Sequence, residues 1–87
     1  MGQVAVTLRV MPESVETNID EIKDAIEHLR LGEIRLKEIR TENMAFGLKS
    51  LKVLFLMPDH GGTDRIEEAI KEIPGVAEVE TGEITLI

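Results

Sequence analysis

The stretch Leu51-Lys52-Val53-Leu54-Phe55-Leu56-Met57 decides the fold. Leu51, Val53, Phe55 and Met57 alternate along one face, and Leu54 and Leu56 occupy the other. A period of two is that of a strand. Apolar residues on both faces suit a strand in the middle of a sheet, and Pro58 closes it because it has no N–H to give to the ladder. A second alternating run, Gln3 to Val10, puts Val4, Val6, Leu8 and Val10 on one side and Ala5, Thr7 and Arg9 on the other. It predicts a strand with one buried face, ended by Pro12.

Between these strands, the period changes. After a polar loop from Glu13 to Thr17, Ile19, Ile22, Ile26 and Leu29 recur at helical spacing, with Lys23, Asp24 and Glu27 facing out. Asn18 is a suitable N-cap, Glu21 stands three residues on, and Asp20 and Glu21 suit the positive end of the helix dipole. Gly32 is the expected stop. Glu33 to Arg40 reads as an edge strand with a bulge near Lys37-Glu38, because Ile39 falls on the opposite parity to Ile34 and Leu36. Thr41-Glu42-Asn43 reads as a loop.

Beyond Pro58, Asp59-His60-Gly61-Gly62 predicts a turn, and Thr63 the cap of a second helix. Ile66, Ala69, Ile70 and Ile73 form its apolar stripe, and Pro74-Gly75 ends it. Val76 to Ile87 is a last extended segment, with Gly82 marking a bulge or bend. Strand, helix, strand, strand, helix, strand is the split βαβ order of an α+β, ferredoxin-like sandwich: one four-stranded antiparallel sheet with both helices on one face. Its other face is left open and carries Ala5, Thr7, Arg9, Lys52, Leu54 and Leu56, either a docking or dimer surface or a modest solvated patch.

At 87 residues the chain is expected to make a single domain, spanning 1–87. It has no cysteine, which excludes disulfides, thiol nucleophiles and thiolate metal sites. Ten basic against seventeen acidic residues give a net charge of −7, which repels phosphate backbones. Phe46 and Phe55 are the only aromatics, too few for a base-stacking platform, so no direct nucleic-acid partner is expected. No run approaches the ~18 apolar residues that span a bilayer, and no signal-peptide pattern opens the chain. A cytoplasmic location without membrane association is therefore expected.

Catalytic groups are equally sparse. His28 has only carboxylates and Gly32 at helical spacing, His60 lies in a loop, and no metal or cofactor site is expected. Ser14 and Ser50 have no base nearby in sequence. Gly61-Gly62-Thr63 offers either an anion cradle at a helix start or, more simply, a turn with a cap. Met44-Ala45-Phe46-Gly47-Leu48-Lys49-Ser50-Leu51 remains. An aromatic and a glycine beside a basic residue at the mouth of the central strand make Phe46 either a partner anchor or the start of the core face.

The motif Arg9-Val10-Met11-Pro12-Glu13-Ser14, the run Met44 to Leu51, Gly61-Gly62-Thr63, and Pro74-Gly75-Val76 with Val79-Glu80 together resemble the archaeal translation elongation factor 1-beta family. The resemblance runs the whole length, and the Ala-Phe-Gly-Leu run is its specific part. It implies a ferredoxin-like guanine-nucleotide exchange domain without covalent chemistry. Its partner would be the GTPase elongation factor 1-alpha, with Phe46, Gly47, Leu48 and Lys49 in or beside the contact. The free protein is expected to be a monomer. The family tends to carry a basic residue near the C-terminus, reaching the magnesium site in some relatives. Here Thr85 or Leu86 holds that place, and no Lys or Arg follows Lys71. Exchange by another route, weaker exchange, and binding alone all fit this departure. A ferredoxin-like module that binds a small ligand as a dimer, using Leu54 and Leu56 for pairing, is the competing reading.

Overall fold

The computed structural model describes residues 2–59 and 63–87. Its elements are β1 (Gln3–Pro12), α1 (Ile19–Glu27), β2 (Arg35–Asn43), a short 3-10 turn (Ala45–Gly47), β3 (Lys49–Pro58), α2 (Asp64–Lys71) and β4 (Val76–Leu86). The strands form one antiparallel sheet in the order β2-β3-β1-β4, with the two alternating runs in the middle. This is the ferredoxin-like α+β arrangement that the element order predicts.

The core lies between one sheet face and the helices. Val6, Leu8 and Val10 of β1 and Leu51, Val53, Phe55 and Met57 of β3 are buried with Ile22 and Ile26 of α1 and Ile66 and Ile70 of α2. In register, Val6 faces Phe55, Leu8 faces Val53 and Val10 faces Leu51, so the two runs put their apolar sides on the same face. A slip of one residue would turn every one of these side chains to water.

Two of the three register shifts in the outer strands restore that parity. Lys37 is the extra residue between the Leu36–Phe55 and Glu38–Leu54 pairs, which returns Ile39 to the core side opposite Val53. In β4 the extra residue falls at Gly82-Glu83, between the Leu8–Thr81 and Val6–Ile84 pairs. Gly82 sits so close to β1 that a Cβ there would stand 3.3 Å from the Thr7 carbonyl oxygen. The bulge is placed where the β1 backbone leaves only tight space for a side chain.

The boundaries differ from the sequence reading at several points. β1 runs two residues past Val10, because Pro12 occupies the last position of the strand, where a missing N–H costs little. α1 stops at Glu27 with His28 as its cap, well before Gly32. Leu31 is buried and bridges to Ile34, so the chain leaves the helix early and Gly32, at φ +67°, makes that turn instead. Thr41, Glu42 and Asn43 are strand rather than loop, paired with Leu51, Ser50 and Lys49. Thr63 holds the N-cap position of α2, but its side chain makes no capping bond; its carbonyl accepts from the Glu67 N–H. The expected turn at His60-Gly61-Gly62 lies outside the described residues.

The face opposite the helices carries Ala5, Thr7 and Arg9 beside Leu56, Leu54 and Lys52, as the alternation predicts. Leu54 and Leu56 are half-buried there, and ion pairs cross it: Arg9 Nη2 stands 3.9 Å from Glu42 Oε1, and Arg40 Nη2 3.1 Å from Glu38 Oε1.

Candidate functional site

The loop joining β2 to β3 closes on its own backbone. The Met44 N–H donates to the Leu48 carbonyl at 2.7 Å, and the Leu48 N–H donates to the Ala45 carbonyl at 3.3 Å. Reversing the chain in so few residues takes left-handed backbone at two successive positions: Phe46 at φ 62°, ψ 28°, and Gly47 at φ 78°. Glycine adopts that region freely, and a Cβ on Gly47 would meet nothing within 4 Å, so its role is conformational. Phenylalanine does not adopt it freely: the Cβ crowds the carbonyl, at about 1–2 kcal/mol. Phe46 is the one non-glycine residue with positive φ among those described.

Its ring gains nothing locally in return. Phe46 is 95% exposed, whereas Phe55 is buried in the core. Of the two readings that the sequence leaves open, the structure therefore rules out a start to the core face. Leu48 and Met44 are half-buried beneath the loop, and Lys49 is exposed at the first position of β3. The four predicted contact residues thus form one projecting tip, with Phe46 outermost.

The tip has a neighbour that sequence reasoning missed. A groove of about 490 Å³ separates it from the β1–α1 loop, with Gly47 and Lys49 on one side and Ser14, Val15, Thr17 and Asn18 on the other. That loop is held by its own short side chains. The Ser14 N–H donates to Thr17 Oγ1 at 3.1 Å, and the Glu16 N–H donates to Ser14 Oγ at 3.2 Å. Asn18 Oδ1 accepts from the Asp20 and Glu21 N–H groups at 3.0 and 3.3 Å, starting α1. The Glu13 N–H donates to the Gly75 carbonyl at 2.9 Å and anchors the loop to the α2–β4 turn. So fixed, the loop leaves Val15 61% exposed. Its sequence signal was an apolar residue isolated in an otherwise polar segment.

The opposite end of the sheet holds the chain's C-terminus. The Ile87 N–H donates to the Gln3 carbonyl at 2.9 Å, and Ile84, Leu86 and Ile87 are exposed. Thr85 pairs with Ala5, far along the strands from the tip. Among the described residues, no cluster of three or more His, Asp or Glu could hold a metal ion. His28 stands at its own helix end, Nδ1 2.7 Å from the Asp24 carbonyl. No helix among the described residues is long and apolar enough to cross a membrane. A sheet with an exposed aromatic at the end of one hairpin is suited to docking.

Comparison with known proteins agrees. Residues 5–87 match the EF-1 guanine nucleotide exchange domain. The chain belongs to that family. It is 42% identical to elongation factor 1-beta of Methanosphaerula palustris over 87 residues, covering 99% of each chain. It is 42% identical to that of Desulfurococcus amylolyticus over 82 residues, covering 92% of this chain and 91% of the relative. The protein of Archaeoglobus fulgidus is 33% identical over the full length of both. The family places this domain in translation elongation as a nucleotide-exchange factor, a role that needs no covalent chemistry.

Proposed function

We propose that this chain, as a single exchange domain and a monomer when free, binds elongation factor 1-alpha in the cytoplasm and speeds replacement of its GDP by GTP. The observation that carries the proposal is Phe46, whose ring stands 95% exposed on left-handed backbone at the end of the β2–β3 hairpin. Phe46 enters an apolar pocket of the GTPase, Gly47 allows close backbone approach, and Leu48 supports the loop from below. Lys49 meets a neutral hydrogen-bond acceptor at the rim. A buried aromatic anchor is the usual centre of an interface hot spot.

Exchange follows from differential affinity alone. A domain that binds the nucleotide-free GTPase more tightly than the GDP-bound form weakens GDP binding by the same factor. Residues 72–87 include no Lys or Arg, so none of them offers a cation to compete with magnesium. The work therefore falls on the tip and the surface around it.

The test is release of a fluorescent GDP from a purified archaeal elongation factor 1-alpha, with and without this chain. Acceleration that rises with concentration, and is lost in Phe46→Ala, is expected. An unchanged rate with binding still measurable would reduce the role to binding. No binding would overturn the proposal.

A further inference from the structure

We infer that the β1–α1 loop is the second half of the docking surface, with Val15 as a second apolar anchor, and that the partner presents two apolar depressions rimmed by lysine or arginine. The inference rests on the docking reading of Phe46 given above. Val15 and Gly47 come from segments about thirty residues apart in sequence, yet they line one groove, and Phe46 precedes Gly47 in the same turn. Val15 stays 61% exposed, although the loop that carries it is held by bonds from the Glu13, Ser14, Glu16 and Thr17 N–H groups. A self-bonded loop pays little ordering entropy on association, which favours its use as a contact.

Charge gives the chemistry of the partner. Glu13, Glu16 and Asp20 flank Val15 in the loop and at the start of α1, all exposed, and none is ion-paired among the described residues. Among the described residues, Lys49 is the single cation lining the groove. An acidic rim around apolar anchors selects a partner whose pockets are bordered by cations. It also steers association in a salt-dependent way. A second copy of this chain would bring the same acidic rim against itself, so self-association through this face is disfavoured.

The experiment measures binding of the whole chain to purified archaeal elongation factor 1-alpha at two ionic strengths, for wild type, Phe46→Ala, Val15→Ala, Val15→Asp and Glu13→Lys/Glu16→Lys. Thermal melts verify that each exposed substitution leaves the fold intact. Val15→Ala should weaken binding roughly fivefold and Val15→Asp more. The double charge reversal should slow association several-fold at low salt, roughly, and converge on wild type at high salt. Loss of binding in Phe46→Ala with both Val15 variants at wild-type affinity would overturn this inference and leave the exchange reading standing. Wild-type affinity in Phe46→Ala as well, or no binding by wild type, would overturn both.

Discussion

The backbone of Phe46 gives a prediction that needs no partner. At φ 62°, ψ 28° the residue holds a conformation that costs a non-glycine L residue about 1–2 kcal/mol. Its ring is 95% exposed, so removing it forfeits almost no buried surface. Asparagine tolerates the left-handed region through local side-chain hydrogen bonding, without glycine's added entropy in the unfolded chain. Phe46→Asn should therefore recover about 1 kcal/mol, and Phe46→Ala, which keeps a Cβ and has no such bonding, should recover little. For a chain of this size, that difference is a rise in Tm of about 4–8 °C for Asn over both wild type and Ala. Side-by-side melts followed by circular dichroism would read it. Both variants lose the ring and should lose exchange alike, so the Asn variant would be more stable and inactive. That pattern is expected where strain is kept at a working surface. Equal melting of the Asn and Ala variants would refute the reasoning and remove strain from the account of the tip.

Two further stability predictions rest on single polar groups. Asn18→Ala removes the acceptor that serves the Asp20 and Glu21 N–H groups, so it should cost about 1 kcal/mol and lower Tm; an unchanged melt would show that water caps α1 equally well. Ser50 is fully buried and its hydroxyl has no hydrogen-bond partner among the described residues; nor has Oε1 of its cross-strand neighbour Glu42, although Arg9 Nη2 lies 3.9 Å from that oxygen. Ser50→Ala should therefore be neutral or stabilising by up to about 1 kcal/mol in urea denaturation. A clear destabilisation would mean that the hydroxyl is bonded in solution, with the Glu42 carboxylate as its nearest candidate.

Much of the fold was legible because burial leaves a periodic mark. The alternation of Val6, Leu8 and Val10 and of Leu51, Val53, Phe55 and Met57 located both central strands, and the helical spacing of Ile22 and Ile26 and of Ile66 and Ile70 located both helices. Even the bulges were readable, since Ile39 and Gly82 broke the period at the places where an extra residue restores it. The end of α1 was not. Gly32 looks like a helix stop, but burial of Leu31 and its bridge to Ile34 drew the chain out of the helix at Glu27. Nor was the length of β2, because Thr41 to Asn43 carry no apolar pattern. They are strand because β3 offers them backbone partners at Leu51, Ser50 and Lys49.

The site divides along the same line. Sequence alone placed Phe46, Gly47, Leu48 and Lys49 together at the mouth of the central strand, and the family resemblance supplied the expectation that they contact a partner. Tertiary structure decided which way Phe46 faces, since the left-handed turn and not strand parity sets its direction. It also decided that Val15 shares a groove with Gly47 and Lys49 of that loop. Periodicity reports what each residue does within its own element. The meeting of two loops depends on strand register and order, which arise from hydrogen bonds and packing between segments far apart in the chain.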